Sequence, residues 1–146
     1  MFILNTIVNR FGLAGGKLPF EQYRKLRDKL DNSPKLITEE FVGIAEVDDS
    51  EKHFIDEIVT RGEGVTVTTT AASNYRGFPA MSPDEITVYR LGFTRDDGDV
   101  GTFILQTTDR EKVKDLHLEF AEICQREGID AAQDWLLDNP LAMWGG

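Results

Sequence analysis

His117, Cys124 and His53 are the side chains best suited to metal binding or nucleophilic catalysis, and their spacing limits what they can do. His117 and Cys124 share one apolar stripe with Val113, Leu116, Phe120 and Ile123, spaced for a single helix face. Seven residues at a rise of about 1.5 Å separate the two by roughly 10 Å along such a helix. Zinc bonds to nitrogen or sulfur are only about 2.0–2.3 Å long, so one ion cannot take both. A Cys–His nucleophile pair needs hydrogen-bond contact and fails on the same distance. They read as a packed core histidine and an inert core thiol. His53 reads as solvent-facing at the edge of another stripe, and only a tertiary approach that spacing does not dictate would bring it to His117.

The run Asp96-Asp97-Gly98-Asp99 has oxygen ligands but lacks the alternation and the distant closing glutamate of an EF-hand loop. A charged hairpin turn accounts for all of it. Gly12, Gly15 and Gly16 fit neither dinucleotide-binding nor P-loop spacing, and no nucleophile elbow, His-Glu-x-x-His or cysteine pair occurs. Glu39-Glu40 and Asp48-Asp49 are adjacent pairs whose side chains diverge, so neither is an acid–base dyad by itself. No metal and no cofactor is expected.

The connection Ser73, Asn74, Tyr75, Arg76, Gly77, Phe78 and Pro79 is different. It gathers hydrogen-bonding groups, a cation and two aromatics where a plain linker needs none. Tyrosine and arginine suit binding because each offers a large contact area with a polar end. Ser73, Asn74, Tyr75, Arg76 and Phe78 are the expected binding residues. The bland alternative is a loop folded back so that Phe78 plugs the core edge.

The elements that must position these residues follow from periodicity. Gly64 to Ala71, Glu85 to Thr94 and Gly101 to Thr107 read as strands ahead of one long helix, about 109–127. In the first, Val65, Val67 and Ala71 alternate with Thr66, Thr68 and Thr70, giving a half-buried strand with a threonine-lined outer face. The second changes phase near Val88 to Arg90, which predicts a bulge or a strand covered on both faces. Asp97-Gly98 closes a hairpin between the second and third. Thr108 and Glu111 have capping-box spacing, and Gly128 stops the long helix.

Upstream, Phe20, Tyr23, Leu26 and Leu30 predict a helix begun at Pro19, and Phe41 to Val47 predicts a strand. Asp48-Asp49-Ser50 is expected to cap a helix with stripe Phe54, Ile55, Ile58 and Val59, ended by Gly62. Met1 to Leu13 is evenly balanced between helix and strand. Asp130 is expected to cap a last helix, ended by Asn139-Pro140, before a short tail anchored by Trp144. Strands bunched ahead of a helix give an α+β fold: an antiparallel sheet of four or five strands packed on the long helix, with shorter helices around it. Residues 1–146 are expected to form one domain with a detachable segment 1–16.

The net charge of −10 disfavours nucleic acid as a partner. Residues 1–35 hold seven basic and three acidic residues, a net of +4, leaving −14 for the rest. That fits a basic element packed beside an acidic body better than two partner surfaces. One cysteine forms no internal bridge, so a cytoplasmic, reducing setting is expected. No apolar run near Met1 is long enough to cross a bilayer, and no membrane partner is expected.

The sequence therefore points to a small, soluble, acidic, non-catalytic protein-binding or assembly module, in the manner of immunity proteins, inhibitors or viral and assembly subunits. Its partner would be another protein or a second copy of itself, engaged through the Ser73 to Pro79 loop and Met1 to Gly16. The alternative is a small-ligand-binding sensor or enzyme with a pocket between the sheet and loop 72–81. There Thr66, Thr68 and Asn74 would offer contacts and Arg76 an anion clamp.

Overall fold

In the central strands every second residue is apolar, and a long amphipathic helix covers that side. The computed structural model describes residues 17–31, 36–46, 52–95 and 97–146. The elements run β1 (Lys17–Pro19), α1 (Phe20–Asp31), β2 (Ile37–Glu46), β3 (Lys52–Gly62), β4 (Val65–Ala72), a 3-10 turn (Pro83–Glu85), β5 (Val88–Arg95), β6 (Val100–Leu105), α2 (Arg110–Glu127), α3 (Ile129–Leu137) and β7 (Ala142–Trp144). One sheet holds all the strands of the described residues in sequence order. β2 to β7 are antiparallel, and the short β1 joins the edge parallel to β2. The fold is α+β, as the sequence predicts. No helix among the described residues is long and apolar enough to cross a membrane.

The main core lies between the sheet and the α2–α3 pair, with Leu91, Phe103, Leu105, Val113, Phe120 and Leu136 fully buried. The predicted α2 stripe is the buried one, joined by Ala121. On the opposite face α1 lays Tyr23 and Leu26 over Phe41 and Val59, with the Tyr23 and Phe41 rings edge-on at 5.1 Å. Among the described residues, the helices thus cover most of one side of the sheet and part of the other.

Residues 52–62 are a strand, not the predicted helix. Both faces of β3 are covered, so Ile55 and Val59 point to α1 while Ile58 and Thr60 point to α2. An apolar run buried on two sides loses its alternation and mimics helical spacing, and its β-branched residues favour strand. Gly62 does not end a helix. It precedes the two-residue turn Glu63-Gly64, where Gly64 takes φ +82°. With this strand, β1 and β7, the described residues form seven strands where four or five were expected.

Smaller corrections have equally local causes. Asp109, not Thr108, caps α2, because its side chain accepts from Glu111 N and Lys112 N. Gly128, not Asp130, precedes α3: at φ +99° it donates to Ile123 O and Cys124 O and so ends one helix where the next begins. Pro19 closes β1 rather than opening the helix. The tail adds a strand, since Trp144 packs edge-on over Phe103 at 5.1 Å. β5 has no bulge. Its pairing to β4 and β6 is continuous, and Val88 joins Ala72 and Ile104 in a small cluster on the second face. The balance at Met1 to Leu13 lies outside the described residues.

Candidate functional site

Four features meet at the end of the sheet where α2 begins: a displayed loop, an apolar groove, a buried ionic network and, about two turns along α2, His117. The loop leaves β4 at Ala72. Ser73 N and Oγ both donate to Phe78 O, at 2.7 and 3.2 Å, while Gly77 N donates to Asn74 O and Arg76 N to Asn74 Oδ1. Pro79 then bridges back to Ala72, and Ala80 N donates to Ala71 O. Gly77 has φ +76°, and a Cβ there would stand 2.8 Å from Arg90 Cδ. The backbone is therefore fixed while the side chains face out: Tyr75 is 66% exposed, Phe78 56% and Arg76 also exposed. Phe78 does not plug the core.

The groove lies on the α2 face of the sheet, beside the segment that follows the loop. It encloses about 360 Å³ between Val42, Ile44, Phe54, Met81, Pro83 and Ile86, with Lys52 and Asp56 as its charged lining. Arg76 does not line it.

Asp56 ties the groove to the ionic network. Tyr89 donates its hydroxyl to Asp56 Oδ2 at 2.7 Å, and Arg110 donates Nε to Oδ1 at 2.9 Å and Nη1 to Glu40 Oε2 at 3.1 Å. Lys114 Nζ stands 3.0 Å from Glu40 Oε1, off the direction of a good hydrogen bond. Burial works against the Arg110 cation, but the Asp56 and Glu40 carboxylates outweigh it and hold its pKa above the usual arginine value. Burial, then the Asp56 charge, raises the Tyr89 hydroxyl pKa above the usual tyrosine value. Each carboxylate already meets a cation. The arrangement clamps the start of α2 to the sheet.

His117 is fully buried. Thr60 Oγ1 lies 2.7 Å from Nε2, Thr69 Oγ1 lies 2.7 Å from Nδ1, and Thr38 Oγ1 lies 2.6 Å from that of Thr60. Burial lowers its pKa to about 3, and burial raises the Cys124 thiol to about 12. Both groups are moved away from neutrality, opposite to what proton transfer or thiolate attack requires. His53 falls on the α1 face of β3 by alternation, so the sheet separates the two histidines.

The sequence located the loop but not Asp56, Tyr89, Glu40 and Arg110 as a set. Asp56 was hidden by reading 52–62 as helical, and Glu40 is brought to Arg110 only by strand pairing. An acidic residue inside an apolar strand was the available signal. Comparison of the chain with protein-family models, curated proteins and solved structures gives no match.

Proposed function

We propose that the protein is a non-catalytic protein-binding or assembly module whose recognition element is the Ser73 to Pro79 loop. The observation that carries this reading is the contrast within the loop. Its backbone is closed by hydrogen bonds, yet Tyr75, Arg76 and Phe78 are spent on solvent. Holding such side chains in a fixed array lowers the ordering cost of binding. Met81, 59% exposed, extends the apolar surface to the groove, which can receive a partner side chain. The distance of His117 and Cys124 from neutral titration supports a role without catalysis. A partner, or a second copy, would meet this end of the sheet. Segment 1–16, expected to share that surface, lies outside the described residues.

The test is capture of partners by the tagged full-length chain, with identification by mass. Replacing Tyr75 and Arg76 by alanine should weaken the interaction by about 2 kcal/mol or more if they anchor it. Unchanged affinity retires the loop. Light scattering across concentrations tests self-association.

A second reading, a small-ligand sensor or enzyme, is favoured by the groove itself. At about 360 Å³ it falls within the size of small-molecule sites and is mostly apolar, although it touches the expected loop 72–81 only at Met81 and is otherwise bounded by Ser82, Pro83 and Ile86. Filling it by Ile86→Trp would abolish ligand binding while leaving Tyr75 and Arg76 untouched.

A further inference from the structure

The face of the sheet opposite α2 carries a second hollow, apart from the groove; Thr68, expected from the sequence as a ligand contact, lines this hollow, while Thr66, Thr68 and Asn74 do not line the groove. Three strands form its floor in register. Thr66 pairs with Thr94 and Thr94 with Val100; Thr68 pairs with Gly92 and Gly92 with Thr102; Thr70 pairs with Arg90 and Arg90 with Ile104. Gly92 is the centre of this grid. The hollow encloses about 280 Å³ and is lined by Thr68, Thr70, Arg90, Thr94 and Thr102.

Gly92 has no structural need to be glycine. It is absent from the positive-φ glycines, and an added Cβ would come no nearer than 3.8 Å to any neighbour, the carbonyls of Gly101 and Thr68. Gly77 and Gly101, by contrast, sit where a Cβ would overlap Arg90 and the Phe93 ring. Glycine inside a strand weakens it and often marks a bulge, a tight bend or a close approach by a ligand or another backbone; pairing through Gly92 is continuous on both sides, which leaves no bulge there.

Arg90 supplies the chemistry. Gly77 packs on its aliphatic stem, so the loop fixes where the guanidinium emerges. Among the described residues no carboxylate pairs with it, in a chain of net charge −10. The carboxylate two strands away, Glu57, is already engaged by Tyr23, Arg27 and Thr70. An arginine that lines one hollow with Thr68, Thr94 and Thr102, around a residue with no side chain, matches a tetrahedral oxyanion. Such an anion has enough oxygens for a bidentate arginine and further hydroxyl donors at once, whereas a planar carboxylate has two.

We propose that the hollow over Gly92 binds a phosphate group, free or as the monoester of a small molecule, through Arg90 and the hydroxyls of Thr68, Thr94 and Thr102.

The experiment is amide-shift titration of the full-length protein with inorganic phosphate, glycerol phosphate and acetate at constant ionic strength. Saturable shifts centred on Thr68, Gly92 and Thr102 with either phosphate are expected, with acetate weaker by about tenfold. Tighter binding of the ester than of the free ion identifies a phosphorylated metabolite as the source; equal binding identifies the ion. Arg90→Met keeps the stem that Gly77 contacts and should reduce affinity at least about tenfold. Gly92→Val should fill the hollow and abolish binding while thermal stability holds or rises, because valine suits a strand better than glycine. Absence of saturation, acetate binding as tight as phosphate, or full binding by folded Arg90→Met overturns the proposal. None of these results bears on the loop or the groove.

Discussion

Asp56 and Glu57 are neighbours in β3, and each carboxylate secures a different helix through the same pair of donors, a tyrosine and an arginine. Asp56 faces α2 and accepts from Tyr89 and Arg110; Glu57 faces α1 and accepts from Tyr23 and Arg27 at 2.8 and 2.7 Å. Strand alternation sends consecutive side chains to opposite faces, so one dipeptide ties down both layers. In each set burial raises the tyrosine hydroxyl pKa and the adjacent carboxylate adds to it, which keeps the tyrosine a neutral donor.

Removing one member of such a buried set leaves the others charged and short of partners. Arg110→Met is expected to cost about 2 kcal/mol or more, discounted from the fully buried case because Arg110 is partly exposed. Neutralising the acids in the same background, by Asp56→Asn with Glu40→Gln, should recover much of the loss. Urea midpoints of the three proteins decide it. A single-variant cost below about 0.5 kcal/mol would mean that water solvates the site.

Stability should fall as the solution is acidified through the range in which the unfolded chain protonates His117. His117 has a folded pKa near 3 against about 6.5 unfolded, so the unfolded chain takes up the proton first. The contribution is whole above the unfolded pKa and declines as pH drops from about 6.5 toward 3, by at most about 1.4 kcal/mol per pH unit. Urea unfolding between about pH 5 and 6.5 should show this slope, and His117→Gln should flatten it while His53 is present in both proteins.

Loop side chains and loop backbone should respond oppositely to substitution. Tyr75→Ala and Phe78→Ala remove exposed groups and should change stability by no more than about 0.5 kcal/mol. Gly77→Ala must accommodate a Cβ at φ +76° against the Arg90 stem and should cost about 1 kcal/mol or more. Thermal melts of the three variants test the contrast. A large loss at Phe78 would mean that the ring belongs to the core.

Cys124 should be silent to thiol reagents in the folded protein. It is buried on α2, and its thiol is raised to about 12 by that burial. Labelling at neutral pH should then proceed only through unfolding, at a rate that rises with urea in step with the loss of structure. Rapid labelling without denaturant would show that α2 opens locally.

Where an element has one wet face, its residues announce it. The α2 stripe from Val113 to Cys124 and the alternation of Val65 and Val67 with Thr66 and Thr68 match the buried positions. β3 is covered on both sides, so its apolar run has no single period and the helical reading fits it equally well. β7 depends on Trp144 reaching Phe103, a contact made across more than forty residues of chain. The Ser73 to Pro79 loop stood out by composition, but its outward display follows from the Ser73–Phe78 closure and from Gly77 against Arg90.

By itself the sequence determined the α+β class, the position of the long helix, and the separation of His117 from Cys124, because each depends on spacing within one element. Tertiary structure alone decided that Glu40, Asp56, Tyr89 and Arg110 form one network, and that Gly92 lies open among threonines. The first requires β2, β3, β5 and α2 to meet at one end of the sheet; the second requires that, among the described residues, α1 covers β2 and β3 but not β4 to β6. Local periodicity reports which side of a strand is apolar. It does not report what, if anything, comes to lie upon it.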